Sequence, residues 1–405
     1  MRPDVADRGL TEPLDTNTDR ELDLRHTTPA FRTFAGDKAV TALPRELKRV
    51  GASRAVVVCG PSILRHPAAM SHLQDALGKH LVGVYDGVRE HSPLPAVEAA
   101  RDFLADHDAD AVIAVGGGSA VVTARAASIL LAEKGNIREL STQRAPDGKL
   151  VSPKLVAPKL PQWVVPSTPT TAYAKAGSAV RDPQTGERLA LYDPKTRAQG
   201  IILDPTMALT APDRLTWSAS LNAFSMAVEG LQSPHVDPLA DALLSQSLRT
   251  IVTWLPQLTA RPTDSQPRLQ LMLAALMSGQ GTDHTGSGMA QPLSHAIGPR
   301  STTANGVVEA MLLPHALRFG AEAFGHRRSP VAEALGLQDH GVAAVIDEIN
   351  RLLGVFDVPT SLREVGVSVE AVTEAADHAM NDWTLTTGPR TVSREDVLDL
   401  LNKAW

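Results

Sequence analysis

An α/β half built on a parallel sheet, followed by an all-α half, is the fold class this sequence predicts, and three observations predict it. Up to Asp204, apolar and β-branched runs alternate with segments of helical spacing, the pattern of strand–helix–strand units. From Thr210 onward the periodicity is almost wholly helical. The third is the stretch Asp110–Leu131, where the apolar run Ala111–Val115 breaks into Gly116-Gly117-Gly118-Ser119 and then into an Ala-rich helical segment. Glycines there remove the Cβ atoms that would keep an anion from backbone N–H groups, and the helix N-terminus adds unpaired donors. An ordinary strand-to-helix turn built for close packing has the same local signature.

The elements follow in order. Residues 1–28 are polar and without sustained period, which predicts a disordered or peripheral tail; order is expected from near Thr33. Pro44–Val50 reads as a helix stopped at Gly51, and Arg54–Cys59 as a strand ending in Gly60-Pro61-Ser62. His66–Lys79 is helical, Leu81–Tyr85 a strand, and Leu94–Asp106 helical again. Ligands of such sheets sit at the carboxyl ends of the strands, where Gly60 and Gly116–Ser119 fall. Glu133–Pro161 has no clear period and is expected to run over the surface. Gln162–Val165 is a strand leading into a loop rich in hydroxyls, Pro166–Tyr173, which suits a diphosphate or ribose and equally suits a solvated turn. Ser178–Val180 and Leu189–Tyr192 are expected to pair as a hairpin, and Gly200–Leu203 is the last strand.

Beyond it, helices are expected at Asp213–Leu231, Pro238–Trp254, Pro267–Ser278, Asn305–Phe319, His340–Leu353, Val369–Met380 and Ser393–Ala404. Gly281, Gly286, Gly298, Pro314 and Pro359 are expected to mark the joints. The organisation is therefore a tail (1–28), an α/β domain (29–205) and an all-α domain (206–405), with a cleft between the two domains.

Bulk properties narrow the function classes. A formal net charge of -6 leaves no basic footprint, which argues against nucleic acid as a partner. One cysteine, Cys59, allows no intrachain disulfide and suits a reducing compartment. No apolar run reaches membrane length and the first residues lack a signal-peptide core, so a cytoplasmic protein is expected.

Several motifs recur in a familiar order: Gly116-Gly117-Gly118-Ser119, Pro166-Ser167-Thr168, the segment Asp204–Thr210, Leu221–Glu229, His295, and Leu312-Leu313-Pro314. Together they resemble the iron-containing alcohol dehydrogenase superfamily from about Phe31 to Trp405. Tyr85–Gly87, Leu221–Ala223, Leu312–Leu317 and the ending Asn381–Trp405 make the resemblance greatest to maleylacetate reductases. That resemblance implies the dehydroquinate synthase-like fold: a dinucleotide-binding α/β domain, an all-α domain and a nicotinamide cofactor in the cleft. It also implies a homodimer through the α/β domains. By position, Gly116, Gly117, Gly118 and Ser119 would cradle the diphosphate, Thr168 and Thr171 would contact the phosphate or ribose, and Met207 would pack near the cofactor. Gly60 falls where many relatives place a carboxylate that repels a 2′-phosphate, so NADH and NADPH are both expected to be accepted.

Departures from the family pattern carry more information. Metal-dependent relatives coordinate a divalent ion through one Asp and three His; here those positions read Asn222, Met226, Gln291 and Asn305. Two kinds of neutral amide and a thioether make a poor site for such ions, so no metal is expected. Val122 and Arg125 replace the usual Asp and Lys of the glycine-turn helix. His295 stands where relatives keep a histidine near the nicotinamide, and it is the candidate proton donor, against a purely structural role. Asn222, Gln291 and Asn305, beside Met226, are the candidate donors to a developing oxyanion. Tyr173 and Lys175 are candidate substrate contacts, and Lys175, Arg300 and Arg390 are candidate partners for a substrate carboxylate.

The reading these residues give is a metal-independent NAD(P)H-dependent reductase acting on an activated carbonyl or enone, a maleylacetate-like oxo acid or a biosynthetic intermediate. Two alternatives stand beside it. One is a dehydrogenase-derived protein that uses the cleft for binding, or for a cofactor-independent cyclisation or isomerisation. The other is a metal enzyme with a rearranged site around His284 and His295.

Overall fold

Six parallel strands form the spine of the N-terminal half. In this computed structural model, which describes residues 24–145, 150–324, 329–382, 384–385 and 391–405, they are β1 (Arg32–Ala35), β2 (Ala55–Cys59), β3 (Leu81–Tyr85), β4 (Ala111–Gly116), β7 (Gln162–Pro166) and β10 (Ala198–Leu203). Their order across the sheet is β1-β10-β7-β4-β2-β3. Ala55–Cys59 pairs in step with Ala111–Val115, and Val112–Gly116 with Gln162–Pro166, so the glycine turn and the hydroxyl-rich loop leave the sheet side by side.

Burial explains the composition of these strands. β2, β4 and β7 are buried along their whole length, as parallel strands covered on both faces must be. Alternation still sorts their side chains. Val57, Cys59, Ile113, Val115, Trp163 and Ile202 pack on one face, whereas Val56, Val58, Val112, Ala114, Val164 and Ile201 pack on the other. The first face is covered by α1 (Leu43–Arg49) and α3 (Pro67–Leu77), which follows the short α2 (Pro61–Leu64). The second is covered by α4 (Leu94–Asp106) and α5 (Gly118–Ala132), and its core runs on without a break into the helical half.

The surface excursion contains short elements: α6 (Ile137–Leu140), capped by Asn136 and Glu139, and a two-residue ladder of β5 (Gln143–Arg144) with β6 (Leu150–Val151). β8 (Gly177–Arg181) and β9 (Arg188–Tyr192) form the expected hairpin. After β10, Asp204 caps α7 (Pro205–Ala208) by accepting from the Met207 N–H at 2.9 Å. Only helices follow among the described residues: α8 (Asp213–Leu231), α9 (Pro238–Ala260), α10 (Ser265–Thr285), α11 (Ala290–Ile297), α12 (Asn305–Phe324), α13 (Ser329–Leu335), α14 (Val342–Val355), α15 (Val369–Ala379) and α16 (Arg394–Ala404).

Two expected joints turn out to be interior. Gly281 lies within α10, where a Cβ would stand 2.5 Å from Leu244 Cγ on α9; the glycine permits close helix contact and does not break the helix. Pro314 lies within α12. Conversely, α11 was not expected, because it has eight residues, begins close after Gly286 and Gly288, and contains Pro292. Its N-terminus is held from afar: the Glu229 carboxyl of α8 accepts from the N–H groups of Met289 at 2.8 Å and Ala290 at 3.1 Å. None of the helices among the described residues is long and apolar enough to cross a membrane.

Candidate active site

The glycine turn has the backbone and the surroundings of an anion cradle. Gly116 closes β4 at φ +134°, a conformation an L side chain rarely adopts, and Gly117 is the N-cap of α5. A Cβ on Gly117 would stand 3.0 Å from the Thr168 hydroxyl, and one on Gly118 3.1 Å from that of Thr170. The missing side chains thus keep a channel between the first turn of α5 and two hydroxyls. Ser119 belongs to the same turn; its carbonyl accepts from Ser92 Oγ at 3.1 Å, and Ser92 accepts from Thr123 Oγ1 at 3.1 Å. Gly60 ends β2 as the N-cap of α2, with φ -91° and no atom nearer than 3.6 Å to a Cβ built on it. Together these groups fit the diphosphate of a dinucleotide.

Arg125, three residues past Val122, is fully buried and donates to the carbonyls of Gly177 at 2.6 Å and Ala172 at 2.9 Å. Burial, with Arg197 close by, lowers its guanidinium to about 9. It therefore ties the end of the threonine loop to the β8–β9 hairpin.

That loop leads toward Asn222, Met226, Gln291 and Asn305. Thr171 Oγ1 donates to Met226 Sδ at 3.6 Å, and Gln291 Nε2 donates to the same sulfur at 3.3 Å. Asn222, one turn before Met226 on α8, donates from Nδ2 to Glu309 Oε2 at 2.5 Å. Glu309 projects from α12 one turn after Asn305 and is 1% exposed. Burial, and secondarily the neighbouring Glu229, push its carboxyl well above the usual range, which favours the neutral acid. Asn305 lies against Gly298 and lines an open cleft of about 580 Å³, together with His91, Arg181 and Arg214.

His295 sits on α11 one turn from Gln291, on the same helix face. Its Nδ1 is 2.7 Å from Asp382 Oδ2, and Arg188 of β9 approaches the same carboxylate at 3.4 Å. Burial and then Arg188 hold the imidazole below its ordinary value, against the pull of Asp382. Burial alone would raise Asp382, yet His295, Arg188 and Thr384 keep its carboxyl well below the usual range. His91, in the left-handed region at φ 62° and followed by Ser92 at φ 48°, is close enough to act on the same imidazole. Ser92 is pinned by Ser119 and by the Arg181 N–H, so this strained corner is part of the cleft wall.

Other sequence-predicted residues lie elsewhere. Tyr173 is a core side chain, 1% exposed, whose hydroxyl donates to the Met272 carbonyl at 2.9 Å; it is not available to a substrate. Thr171 faces Met226 and so joins the helical side of the cleft rather than the phosphate turn. Met207 is buried in the core on the sheet face that α1 and α3 cover. Lys175 Nζ is bound to Thr282 at 2.9 Å and lies 3.8 Å from Asp283; burial lowers it to about 8. Arg300 is taken by Glu374 and the Ala296 carbonyl, and Arg390 is outside the described residues. His284 and His295 do not meet, for His284 stacks on His26 instead.

Sequence reasoning passed over Asp382, Glu309, Glu229, His91, Arg181 and Arg214. Only Glu309 carried a local signal, a lone acid inside the apolar run Gly306–Leu313.

A glycine-turn α/β domain facing a helical domain across a histidine-bearing cleft defines a class of dinucleotide-dependent oxidoreductases. The chain belongs to the iron-containing alcohol dehydrogenase family: residues 30–205 match the model for iron-containing alcohol dehydrogenase and residues 216–405 that for the family's C-terminal domain. It is 27% identical to maleylacetate reductase 1 of Cupriavidus pinatubonensis, over 87% of this chain and 89% of that protein. It is also 27% identical to the lactaldehyde reductase of Escherichia coli K12, over 91% and 97%. Among solved structures, an alcohol dehydrogenase from Oenococcus oeni superposes with a TM-score of 0.85 at 22% identity, covering 95% of this chain and all of that one. Maleylacetate reductase from Agrobacterium tumefaciens gives 0.75 at 22%, covering 95% and 99%.

The family's name implies iron, and the donor set does not fit it. Asn222, Met226, Gln291 and Asn305 bring amide groups and a thioether; Met226 sulfur is already shared by two donors, and Asn222 directs an N–H at Glu309. The carboxyl that Asn222 meets, that of Glu309, is pushed well above the usual range by burial, which disfavours the anion a metal would need. A hard or first-row divalent ion finds no anionic or imidazole ligand at these four positions.

Proposed function

We propose that this protein is an NAD(P)H-dependent reductase whose transition state is stabilised by side chains rather than by a metal at the four replaced positions. Its substrate is an activated carbonyl or enone bearing carboxylate. The observation that supports this most is one continuous series of neighbouring groups. It runs from the glycine turn through Thr168 and Thr170 to Thr171, Met226 and Gln291, and ends one helical turn away at His295 and Asp382.

The turn Gly116–Ser119 and the N-terminus of α5 would hold the diphosphate, with Thr168 closing over it. A bound nicotinamide supplies a hydride. His295 holds a proton on Nε2 while Nδ1 is oriented by Asp382, and gives it to the substrate oxygen or carbon that becomes basic. Asn222 and Gln291 each retain a second amide N–H for the developing oxyanion. Without a Lewis acid this stabilisation is smaller by several kcal/mol, which suits a substrate already conjugated or otherwise activated. Arg181, Arg214 and His91 in the cleft suit an acidic substrate, as in the maleylacetate reductases that the chain resembles.

Fluorescence titration with NADH and NADPH and a pH profile test this reading together. Both reduced cofactors are expected to bind, and reduction is expected to fall as pH rises through the His295 pKa, which lies below its ordinary 6.5. Asp382→Asn removes the anion that favours the imidazolium, so the falling limb should move to lower pH; His295→Ala should lower kcat about 100-fold. Failure of either cofactor to bind at millimolar concentration, or an unmoved limb in Asp382→Asn, overturns the proposal.

A further inference from the structure

We propose that His26, Asp237 and His284 form a binding site for a divalent transition ion of the zinc or cobalt class, which fastens the segment before β1 to the helical half. The site is separate from the four replaced positions and does not rest on the reductase reading.

Three donor atoms, one from each residue, lie within 4.8 Å of one another. His26 Nδ1 is 2.7 Å from Asp237 Oδ2, and His284 Nδ1 is 3.9 Å from the same oxygen. The imidazole rings stack with centroids 3.8 Å apart. Side chains are 10%, 7% and 15% exposed, in that order, so the cluster is shielded yet reachable.

The surrounding hydrogen bonds leave the cluster rich in lone pairs. His284 Nε2 faces the Thr27 carbonyl at 3.1 Å, and since a carbonyl only accepts, the ring proton sits on Nε2 and Nδ1 carries a bare lone pair. The Asp237 carboxylate and the His26 ring stand beside that imidazole. Asp237 Oδ1 is committed to the N–H groups of Leu239 and Ala240, both at 3.0 Å, which locks the carboxylate with Oδ2 turned to the imidazoles. A histidine that donates its second nitrogen to a backbone carbonyl, next to a carboxylate fixed by backbone N–H groups, is how metal ligands are commonly oriented.

With an ion present, His26 changes tautomer, carrying its proton on Nε2, and small ring rotations bring two nitrogens and one oxygen to about 2.0–2.2 Å from the metal. Two imidazoles and one carboxylate favour a borderline divalent ion over calcium or magnesium, whose ligands are oxygens. The ion would join Leu24–Phe31 to the N-terminus of α9 and the C-terminus of α10, and so link the edge strand β1 to the helical half.

The test uses the untagged full chain after chelator treatment, titrated with Zn²⁺ by calorimetry and with Co²⁺ by visible absorption. One equivalent is expected to bind, with d–d bands for Co²⁺, and His26→Ala and His284→Ala should each weaken binding more than about ten-fold. Gln291→Ala should leave it unchanged. Zn²⁺ should also slow proteolytic cleavage between residues 24 and 31 in the parent and not in His26→Ala. No stoichiometric uptake, uptake indifferent to both histidine variants, or uptake lost only in Gln291→Ala overturns the proposal.

Discussion

Gly60 allows the proposed breadth of cofactor choice to be tested at one residue. Its φ is ordinary and the nearest atom to an added Cβ is Val88 O at 3.6 Å, so the position accepts a side chain without strain. Gly60→Asp places a carboxylate at the carboxyl end of β2, where it would repel a 2′-phosphate. NADPH affinity is expected to fall about ten-fold or more while that for NADH is kept, as read by fluorescence titration; equal losses would show that this corner is not beside the ribose. The other residues of the site work in pairs. Asp382, its carboxyl held well below the usual range, orients His295, and Glu309, its carboxyl raised by burial, receives the Asn222 amide. The acid that meets Asn222 comes from the facing helix α12.

The approach of α8 to α12 places that amide and that acid in contact, and it depends on Gly306. A Cβ there would overlap the Ser218 carbonyl, so the two helices touch through backbone. Gly306→Ala is expected to push them apart, costing about 1–3 kcal/mol in thermal or denaturant unfolding and lowering kcat through the displaced Asn222–Glu309 pair. Gly354, within α14 with nothing within 4 Å of a built Cβ, is the control. Gly354→Ala should stabilise by about 0.5–1 kcal/mol and leave kcat alone. α11 is placed by a comparable long-range contact: Gly288, at φ +72°, lets the Glu229 carboxyl reach the helix N-terminus that presents Gln291 and His295.

Across the whole molecule, one core runs from the sheet into the helices, and two acids are buried where it continues. Burial raises Glu229 to about 8 from 4.5 and Glu309 well above 4.5. In both cases the folded state keeps a proton that the unfolded chain releases, so their contribution is present at low pH and is lost as pH rises toward the folded value. The melting temperature is therefore expected to fall between about pH 6.5 and 7.5, above the ordinary range of the histidines and before Lys175, at about 8, has released most of its proton. Glu309→Gln, which cannot ionise, should flatten this fall. An identical slope in the variant would mean that Glu309 is already ionised in the folded protein.

Much of the architecture is legible without coordinates. Strands such as Leu81–Tyr85 and helices such as Leu94–Asp106 and Asp213–Leu231 have the bounds that periodicity and breakers indicate, because burial of one stripe or one run is written into neighbouring residues. The glycine turn is legible for the same reason: its backbone demand is local. What periodicity cannot express is which surfaces meet. Gly281 reads as a stop and is a contact; Tyr173 reads as a polar tip and lies in the core; α11 is capped from 60 residues away. His295 finds Asp382, Asn222 finds Glu309 and His284 finds His26 only when the two halves pack. Residue order specifies elements through short-range backbone and solvent preferences, whereas the chemistry of this cleft resides in partners tens to hundreds of positions apart, which packing alone selects.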